Sequence, residues 1–501
     1  MDTKRLHELM SLPRQAQRWA DVCVYGVSSD SRQVKQGDLF ISCLGEPKRQ
    51  RSYIEQAQAS GAVAVVMDAQ QALTLDLSSL TVPIVGIDNL LAIQGSIAAR
   101  MHNNPSQKMS LIGITGTNGK TSCSHFIAKC LSSLGLPCGV MGTLGYGFLN
   151  ALEQGPNTTP HEVTLQNQLG AMSLSGAKAC AIEVSSHGLS QGRVNSCHFD
   201  TAVFTNLTQD HLDYHRTMKA YGQVKAQLFK WPSLRCAVIN FDDKFGRSLL
   251  KMITSNVDIY TYSARVCELK NVNIGVSSVV QHEHGLDAMI VTPQGQALLQ
   301  VGLIGRFNLS NLLATLAVLL SHKIDLLKAM QAINQLTTVC GRMQLIAPEF
   351  ESSNYPQAIV DYAHTPDALE QALMAAKEHI NSGKLWVVFG CGGDRDSGKR
   401  PKMATIAESL ADHVIVTDDN PRAESSEKIL ADIVKGFKHP AKVAVKADRS
   451  QAITFAIQHA KPGDIVLIAG KGHETYQDIH GHKHHFSDHE QVLISLAGGF
   501  C

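Results

Sequence analysis

The sequence has almost no excess charge of either sign: 45 Lys and Arg residues stand against 44 Asp and Glu, for a formal net charge of +1. This balance gives no electrostatic footprint for nucleic acid or an anionic membrane, although a local basic pocket can still bind small anions. Residues 1–12 lack the apolar stretch of a signal peptide, and no run reaches the ~20 apolar residues of a spanning helix. We expect a cytoplasmic monomer with no nucleic-acid or membrane partner.

Closely spaced cysteine pairs are also absent. Twelve cysteines are scattered along the chain without any C-x-x-C pair, which disfavours a zinc knuckle or a disulfide scaffold. We expect most of them to be reduced and buried as small hydrophobic residues.

The length of the chain exceeds one ordinary hydrophobic core, and typical domain sizes predict about two to four domains. Short β-like runs alternate with turn signals up to residue 85, and the polar stretch 103–108 then interrupts the pattern. Strand-like and helical stretches alternate from residue 109, which is typical of a parallel sheet with crossover helices, and a further segment opens near residue 339. We predict an α/β protein with domains at 1–108, 109–338 and 339–501.

The last segment contains four strand-like runs, at 358–362, 385–389, 413–417 and 465–469, and each ends in a polar or glycine-rich turn. Because open α/β sheets bind ligands outside the carboxyl ends of their strands, we expect the three domains to face a shared cleft. The histidine-rich segment 480–485 could be a metal tract. No Cys or carboxylate set accompanies it, so a solvated hairpin turn is the better interpretation.

A glycine-rich turn joins the apolar run 111–115 to a helical pattern. Gly116 and Gly119 would let backbone N–H groups wrap a phosphate, while Lys120 adds a cation and Thr121 a ligand for Mg²⁺. The spacing departs from the general P-loop, which has a glycine five residues before the last one. A chance glycine turn is disfavoured because strand, loop, Lys-Thr pair and helix occur in order. We expect this phosphate loop to be exposed.

Two further polar clusters follow predicted strands. Glu183 ends an apolar run, so its carboxylate would project at the carboxyl edge of the sheet, where it could bind metal. The stretch 205–215 contains two His and two Asp residues, including His211, which suits a hard cation or phosphate contacts. For Glu183 or His211 taken alone, a helix cap or a core hydrogen bond is the commoner role.

Together these residues resemble the Mur ligase family, whose phosphate loop T-G-T-N-G-K-[ST] matches the segment 115–122. The resemblance covers essentially the whole chain, since further family motifs occur in order at 183–187, 206–211, 305–311, 341–343 and 361–366. One departure is Phe307, where several relatives carry His, and it leaves the adenine contacts open. The resemblance implies a three-domain Mur ligase architecture with a central P-loop-type parallel-sheet ATPase domain and a C-terminal Rossmann-like domain.

The resemblance also implies ATP and Mg²⁺ as cofactors. It implies catalytic roles for Lys120, His211, Lys225 and Arg342, and metal ligation by Thr121, Glu183, His211 and a carbamylated Lys225. Without the resemblance, Lys225 would be a surface helix lysine; a carbamate would turn that cation into an anionic oxygen ligand. The implied ATP-binding residues are Gly116, Thr117, Asn118, Gly119, Lys120, Thr121, Ser122, Asn308, Asn311, Arg342 and Asp361.

Within the family, the segment Asp419-Asn420-Pro421-Arg422 marks the members that add meso-diaminopimelate. A guanidinium can bind the distal carboxylate of this amino acid, and lysine has no such carboxylate. By the same resemblance, Arg395 and Gly470 bind carboxylate and Glu474 binds an ammonium group. Ser29, Ser31 and the loop near Gly45 match the family's UDP-binding segment. The muramoyl dipeptide is implied to lie between the first two domains, at Asn157, Thr158, Thr159, Ser185, Gln191 and Arg193.

The implied reaction belongs to peptidoglycan precursor synthesis and has two stages. The D-glutamate γ-carboxylate of UDP-N-acetylmuramoyl-L-alanyl-D-glutamate attacks the ATP γ-phosphate, and the amine of diaminopimelate then displaces phosphate from the acyl phosphate. Lys120, Mg²⁺ and Arg342 would offset the charge of the transferring group. The alternatives are a lysine-adding relative, a folylpolyglutamate synthetase-like ligase and a P-loop ATPase that drives motion or partner binding. The Asn-Pro-Arg motif argues against the two ligases.

Overall fold

The computed structural model of the protein describes residues 3–43, 49–78, 80–266, 272–282, 285–346, 355–380 and 382–498. The loop near Gly45 lies outside the described residues. No helix within the described ranges is long and apolar enough to cross a membrane. Three main sheets are built from the stretches 26–87, 110–301 and 344–469, one after another along the chain. The predicted domain boundaries near residues 108 and 338 fall between these sheets.

The first sheet is parallel, with strand order β3-β4-β5-β6. Its strand β5 alternates faces: Ala64 and Val66 pack in the cluster that contains helix α4, while Val65 and Met67 pack in the cluster that contains α2. Both faces are therefore covered. The elements are β1 (Lys4–Arg5), α1 (Leu6–Leu9), β2 (Cys23–Val24), β3 (Gly26–Ser28), β4 (Asp38–Ser42), α2 (Gln50–Ala59), β5 (Ala64–Asp68), α3 (Ala69–Thr74), β6 (Ile84–Ile87) and α4 (Leu90–Met101).

The central sheet has the strand order β10-β9-β8-β11-β7-β12-β13-β14-β15-β16-β17. Its strands run parallel from β8 to β15, as the alternation of strands and helices predicts, and antiparallel at both edges, which the sequence analysis did not anticipate. Strand β11 reads as a continuous apolar run because Ala181 faces one core cluster and Ile182 the other. The carboxyl ends of the parallel strands consequently lie at one edge.

The elements of the central sheet and its helices are β7 (Ser110–Thr115), α5 (Lys120–Ser133), β8 (Cys138–Gly142), β9 (Gly145–Phe148), β10 (Ala151–Glu153), α6 (Glu162–Leu174), β11 (Ala179–Glu183), α7 (Ser186–Ser190), β12 (Thr201–Phe204), α8 (Leu212–His215), α9 (Met218–Ala226), β13 (Cys236–Asn240), α10 (Lys244–Leu249), β14 (Asp258–Val266), β15 (Ile274–His282), β16 (Gly285–Thr292), β17 (Gly295–Val301), α11 (Arg306–Ser321) and α12 (Leu326–Asn334).

The third sheet has the order β18-β19-β23-β20-β21-β22 and is parallel except for the edge strand β18. All four strands predicted for this segment are confirmed. A separate hairpin, β24–β25, follows. The elements are β18 (Gln344–Ile346), β19 (Gln357–Asp361), α13 (Pro366–Glu378), β20 (Leu385–Phe389), α14 (Lys399–Leu410), β21 (His413–Val416), α15 (Ser426–Val434), β22 (Ala444–Val445), α16 (Arg449–His459), β23 (Ile465–Ala469), β24 (Tyr476–Ile479), β25 (His482–His485) and α17 (Asp488–Gly498).

The hairpin and the cysteines match their expectations. The side chains of β25 are all exposed, as expected for a solvated hairpin. The described cysteines are free, and most of them are buried.

A completely buried ion pair joins the last two helices of the third domain. Arg449, at the start of α16, donates to both carboxylate oxygens of Asp488 at 2.7 Å, and neither side chain is exposed to solvent. The same guanidinium donates to the carbonyls of Asp418 at 3.2 Å and Ala469 at 3.0 Å. Because these carbonyls lie at the carboxyl ends of β21 and β23, the pair fixes the starting points of two site loops.

We expect Asp488→Ala to lower the free energy of unfolding by about 3 to 5 kcal/mol, because it leaves the Arg449 guanidinium charged and unpaired in the core. Urea unfolding of the variant and the parent measures the difference. The control is Asp21→Ala, which breaks an ion pair with Arg5 that lies in solvent and should leave stability unchanged. Equal losses in the two variants would contradict the assignment.

Candidate active site

The glycine-rich turn between β7 and α5 needs two glycines for steric reasons. Gly116 and Gly119 have positive φ angles of 155° and 85°, a region that favours glycine. A Cβ atom on Gly116 would collide with the Thr205 hydroxyl, and one on Gly119 would come 2.5 Å from the Asn311 Oδ1 atom. The turn therefore follows this path only with glycine at both positions.

The segment after β12 holds this turn from outside. Thr117 N donates to the Asn206 carbonyl at 2.9 Å, and Asn118 N donates to Asn206 Oδ1 at 2.8 Å. The Thr205 hydroxyl donates to the Asn118 carbonyl at 2.6 Å. The loop and the 205–211 segment are thus one bonded unit.

Lys120 corrects one expectation from the sequence. Its ammonium group is not exposed but curls back over the loop, where it donates to the carbonyls of Gly116 at 3.0 Å and Thr117 at 2.8 Å. Burial lowers its pKa. The lysine lies at the first position of α5, so its charge and the positive end of the helix act at one place.

Three predicted residues from distant segments meet at Thr121. Its hydroxyl donates to Glu183 Oε2 at 3.0 Å and accepts a hydrogen bond from Arg342 Nη2 at 3.1 Å. Glu183 is completely buried, as a strand-end carboxylate of this sheet can be. Thr143, which the sequence analysis missed, donates its N–H to Glu183 Oε1 at 2.9 Å. No local pattern marks Thr143, since it lies in the short turn between β8 and β9.

Lys225 is buried, so its interpretation as a surface helix lysine is wrong. Its side chain is 1% exposed, lies 4.5 Å from the Tyr221 ring centroid and donates to the Gly116 carbonyl at 2.9 Å. Burial, together with the charge of Lys120, holds its pKa well below the usual range. Lys120 and Lys225 therefore share one carbonyl acceptor.

His211 lies in the cleft with a left-handed backbone, at φ 52°. Its Nε2 is 3.3 Å from an Asp210 carboxylate oxygen, and its ring centroid is 4.9 Å from that of His187. Burial lowers its pKa to about 4, which outweighs the opposing effect of Asp210. Among the described residues, no three His, Cys, Asp or Glu side chains are grouped so as to hold a metal ion.

Three further predicted ATP-binding residues make bonds within the protein. Asn308 donates to the Ile304 carbonyl at 2.9 Å, and Asn311 donates to Asn308 Oδ1 at 3.3 Å. Both carboxylate oxygens of Asp361 accept backbone N–H groups, from Met343 at 2.7 Å and Ala363 at 2.8 Å. Ser122 is buried in the first turn of α5. In this structure the side chains of Asn308, Asn311 and Asp361 are therefore bonded within the protein.

Phe307, the departure from the family pattern, packs against the core of the C-terminal domain. A Cβ atom on Gly305 would come 2.7 Å from its ring and 2.8 Å from the Ala375 Cβ. The apolar side chain therefore forms part of the contact between the central domain and α13.

The residues predicted to bind the dipeptide cluster below the carboxyl end of β11. Thr159 Oγ1 donates to the Glu183 carbonyl at 2.8 Å, and Ser185 N donates to Thr159 Oγ1 at 3.0 Å. Arg193 donates to the Thr159 carbonyl at 2.8 Å and to Gln191 Oε1 at 2.6 Å. Of the other predicted residues, Thr158 hydrogen-bonds Thr143 at 3.1 Å, and Asn157 is half-buried. Ser29 and Ser31 follow directly after β3 in the first domain.

A cavity of about 650 Å³ lies between the central and C-terminal domains. Its described lining comes from these two domains and includes no residue of the first domain, which the sequence predicts to face the same cleft. The sequence-predicted residues in its lining are His211, Arg395, Asp419, Asn420, Arg422, Gly470 and Glu474.

Asp367 bridges the cavity and was not predicted. One of its carboxylate oxygens accepts hydrogen bonds from Asn118 Nδ2 at 2.9 Å and from Thr208 Oγ1 at 3.1 Å. Burial raises its pKa. The residue lies in the first turn of α13, directly after the 361–366 motif, so its position in the sequence was the only available signal.

The loops of the C-terminal domain place charge at the other side of the cavity. Arg422, which has a left-handed φ of 54°, donates to the Gly393 carbonyl at 2.9 Å. Glu474 accepts hydrogen bonds from Lys471 at 2.8 Å and from Asn420 at 2.9 Å. Lys471, a completely buried residue that the sequence analysis overlooked inside the 470–474 motif, also lies 3.8 Å from Asp419.

Two features define the class of protein: a phosphate loop at a helix start, and a second α/β domain across a cleft. They are typical of a P-loop-type protein that has a second ligand site beside its phosphate site. Comparison with known proteins identifies the family. The model of the Mur ligase middle domain matches residues 114–319, and that of the Mur ligase glutamate ligase domain matches 341–472. The chain belongs to the Mur ligase family, whose members are ATP-dependent ligases.

Relatives of known name align over nearly the whole chain. Two UDP-N-acetylmuramoyl-L-alanyl-D-glutamate–2,6-diaminopimelate ligases are each 47% identical: that of Coxiella burnetii over 99% of this chain and 100% of its own, and that of Pseudomonas aeruginosa over 96% of each. A solved structure of a ligase with the same name is 37% identical, with a TM-score of 0.69 and 99% of each chain covered.

We expect Lys120→Ala to remove most ATP turnover while the protein stays folded. We expect the Lys120 ammonium to offset the charge of a transferring phosphoryl group, and loss of one such donor typically costs about 2.7 to 4 kcal/mol, or roughly 100- to 1,000-fold in kcat. Phosphate release measures it. Lys129→Ala is the matched control, because Lys129 lies on the same helix with an exposed side chain bonded to Thr337. Ordinary turnover by Lys120→Ala would contradict the phosphate-loop assignment.

Proposed function

We propose that this protein adds meso-diaminopimelate to the D-glutamate of UDP-N-acetylmuramoyl-L-alanyl-D-glutamate, with ATP as the energy source. One observation carries the proposal: the guanidinium of Arg422 lines the same cavity as Thr208 and Asp210, which belong to the segment bonded to the phosphate loop. A guanidinium and the segment that is bonded to the phosphate loop thus face one space. The near full-length relatives named for this reaction support it.

Each stage of the reaction places a definite demand on the residues. In the first stage an oxygen of the D-glutamate γ-carboxylate bonds to the ATP γ-phosphorus and ADP leaves. In the second stage the diaminopimelate amine bonds to the acyl carbon, inorganic phosphate leaves and the amine loses a proton. Water must be kept out between the stages, because it would hydrolyse the acyl phosphate. The inter-domain bond from Asn118 to Asp367 favours a closed cleft that meets this demand.

Thr121 and Glu183 suit Mg²⁺, since a hydroxyl and a carboxylate are hard oxygen donors. When bound, the cation neutralises charge on the phosphates. Lys120 and the positive end of α5 bind phosphate oxygens, and Arg342, already bonded to Thr121, adds a guanidinium charge on the same side. These groups act on charge that develops during transfer, which is where preorganised donors are most effective.

Diaminopimelate has a zwitterionic distal end, and the far wall of the cavity offers groups of both signs. Arg422 can bind the carboxylate through two parallel N–H bonds, with Arg395 near it in the lining. Asp419 and Glu474 carry two negative charges, and the buried Lys471 offsets one of them. This arrangement leaves one negative charge for one ammonium group. The alternative function is that of a lysine-adding ligase, whose substrate has no distal carboxylate for Arg422 to bind.

Lys225 is proposed to carry a carbamate. Carbamate formation needs a neutral amine, which bonds to the carbon of CO₂ and loses a proton, and burial beside Lys120 favours that neutral form. The modification would place an anion beside the Lys120 ammonium, which adds an attraction. We propose that the protein acts in the cytoplasm, where ATP is available and cysteines stay reduced. We also propose that it acts as a monomer.

We expect Lys225→Ala to be nearly inactive and to recover part of its activity with a small added carboxylate, because that carboxylate can replace the missing oxygen ligand. Protein equilibrated with ¹³C-bicarbonate should show a carbamate carbon resonance, and the variant should not. Lys230→Ala, a change at an exposed lysine of the following turn, should keep both activity and resonance. A parent protein without the resonance would contradict the carbamate.

We expect Arg422→Ala to lower kcat/KM for meso-diaminopimelate by roughly 30-fold to several thousandfold, since breaking a buried charge pair costs about 2 to 5 kcal/mol. Activity with L-lysine should change little, because lysine has no distal carboxylate. Arg422→Lys is the matched control: it keeps the charge but loses the bidentate geometry, so it should fall between parent and Ala variant. An unchanged ratio between the two amino acids, or a parent that prefers lysine, would contradict the proposed specificity.

A further inference from the structure

The loop that carries Arg422 has a backbone that needs outside support. Arg422 adopts a left-handed conformation at φ 54°, which residues with a Cβ atom adopt at a cost. The loop begins after β21 and is not part of any main sheet. Its conformation is therefore fixed by what contacts it.

The β24–β25 hairpin supplies that support through its first strand. Arg422 N donates to the Asp478 carbonyl at 2.9 Å, and His480 N donates to the Arg422 carbonyl at 2.8 Å. Asp478 N donates to Asn420 Oδ1 at 2.9 Å, and the Gln477 side chain donates to the Asp419 carbonyl at 2.7 Å. The strand thus bonds Asp419, Asn420 and Arg422 in turn.

The hairpin has few other contacts in the described part of the chain. Its second strand exposes all four side chains, and it pairs with none of the main sheets. Besides its bonds to the Arg422 loop, the Tyr476 ring centroid lies 5.6 Å from Lys471 Nζ, and His485 bonds Glu490 of α17 at 2.7 Å. An isolated two-stranded hairpin is marginally stable in water. The loop and the hairpin therefore stabilise each other.

On its opposite side the loop contacts the segment that carries Arg395. Gly393 N donates to the Asn420 carbonyl at 2.9 Å, and Ala423 N donates to Asp394 Oδ2 at 3.0 Å. A shift of the loop away from the hairpin would consequently move both arginines of the cavity wall.

We infer that the β24–β25 hairpin positions the amino-acid-selecting loop and that Gln477 is a positioning residue for substrate recognition. The inference rests on the proposed function for the identity of the amino acid. Gln477 acts through the Asp419 carbonyl and has a half-buried side chain. Of the four bonds described, it makes the only one donated by a hairpin side chain, and one substitution can remove it.

The test compares Gln477→Met, which keeps the side-chain length but cannot donate, with His482→Gln, a change at an exposed position of the same hairpin. We expect Gln477→Met to raise KM for meso-diaminopimelate by about 2- to 12-fold, the range for one net hydrogen bond, with kcat and KM for ATP within twofold of the parent. His482→Gln should leave all three constants unchanged. An unchanged KM for diaminopimelate, or an equal rise in KM for ATP, would overturn the inference.

Hydrogen exchange of the substrate-free protein gives a second readout. We expect the amide of Arg422 to exchange faster in Gln477→Met than in the parent, while amides of β20 keep their protection. Unchanged protection at Arg422 would overturn the inference. If the parent does not use diaminopimelate at all, the proposed function fails, but the exchange experiment still decides whether Gln477 holds the loop.

Discussion

The site depends on one constraint, which is that donors from inside the protein satisfy the carbonyls of the phosphate loop. Lys120 and Lys225 both donate to the Gly116 carbonyl, and Thr205 donates to that of Asn118. The first N–H groups of α5 have no partner within the helix. Every segment that supplies such a donor is hydrogen-bonded to the loop. Residues separated by more than 100 positions, such as Gly116 and Lys225, therefore meet there.

The C-terminal domain solves a different problem, which is to keep charged loops in place beside a cavity. Arg449 bonds the strand ends at Asp418 and Ala469 while Asp488 neutralises it. Lys471 likewise forms ion pairs with Asp419 and Glu474, which lie on two different loops. In both cases a buried cation contacts backbone or carboxylate groups from several loops, so that charge compensation and loop geometry come from the same residue.

The sequence was a good guide wherever a short pattern determines the outcome. The strands of the third domain, the turn with Gly116 and Gly119, and Glu183 at a strand end all follow from apolar runs and turn residues. The antiparallel edges of the central sheet could not be predicted, because pairing partners lie far apart in the chain. Lys225 looked like a surface residue because its burial comes from the loop across from it. Asp367 follows a recognised motif and Lys471 lies inside one, but their contacts are made across domains and loops.

The left-handed backbone at position 422 bears on how this specificity could be altered. Glycine and asparagine adopt such a conformation at low cost, and arginine does not. Arginine at this position therefore carries a backbone penalty, which the proposed recognition of a carboxylate would offset. A redesign that abandons the distal carboxylate could place glycine or asparagine there and relieve strain at the same time, so that stability and the proposed diaminopimelate selectivity oppose each other at a single residue.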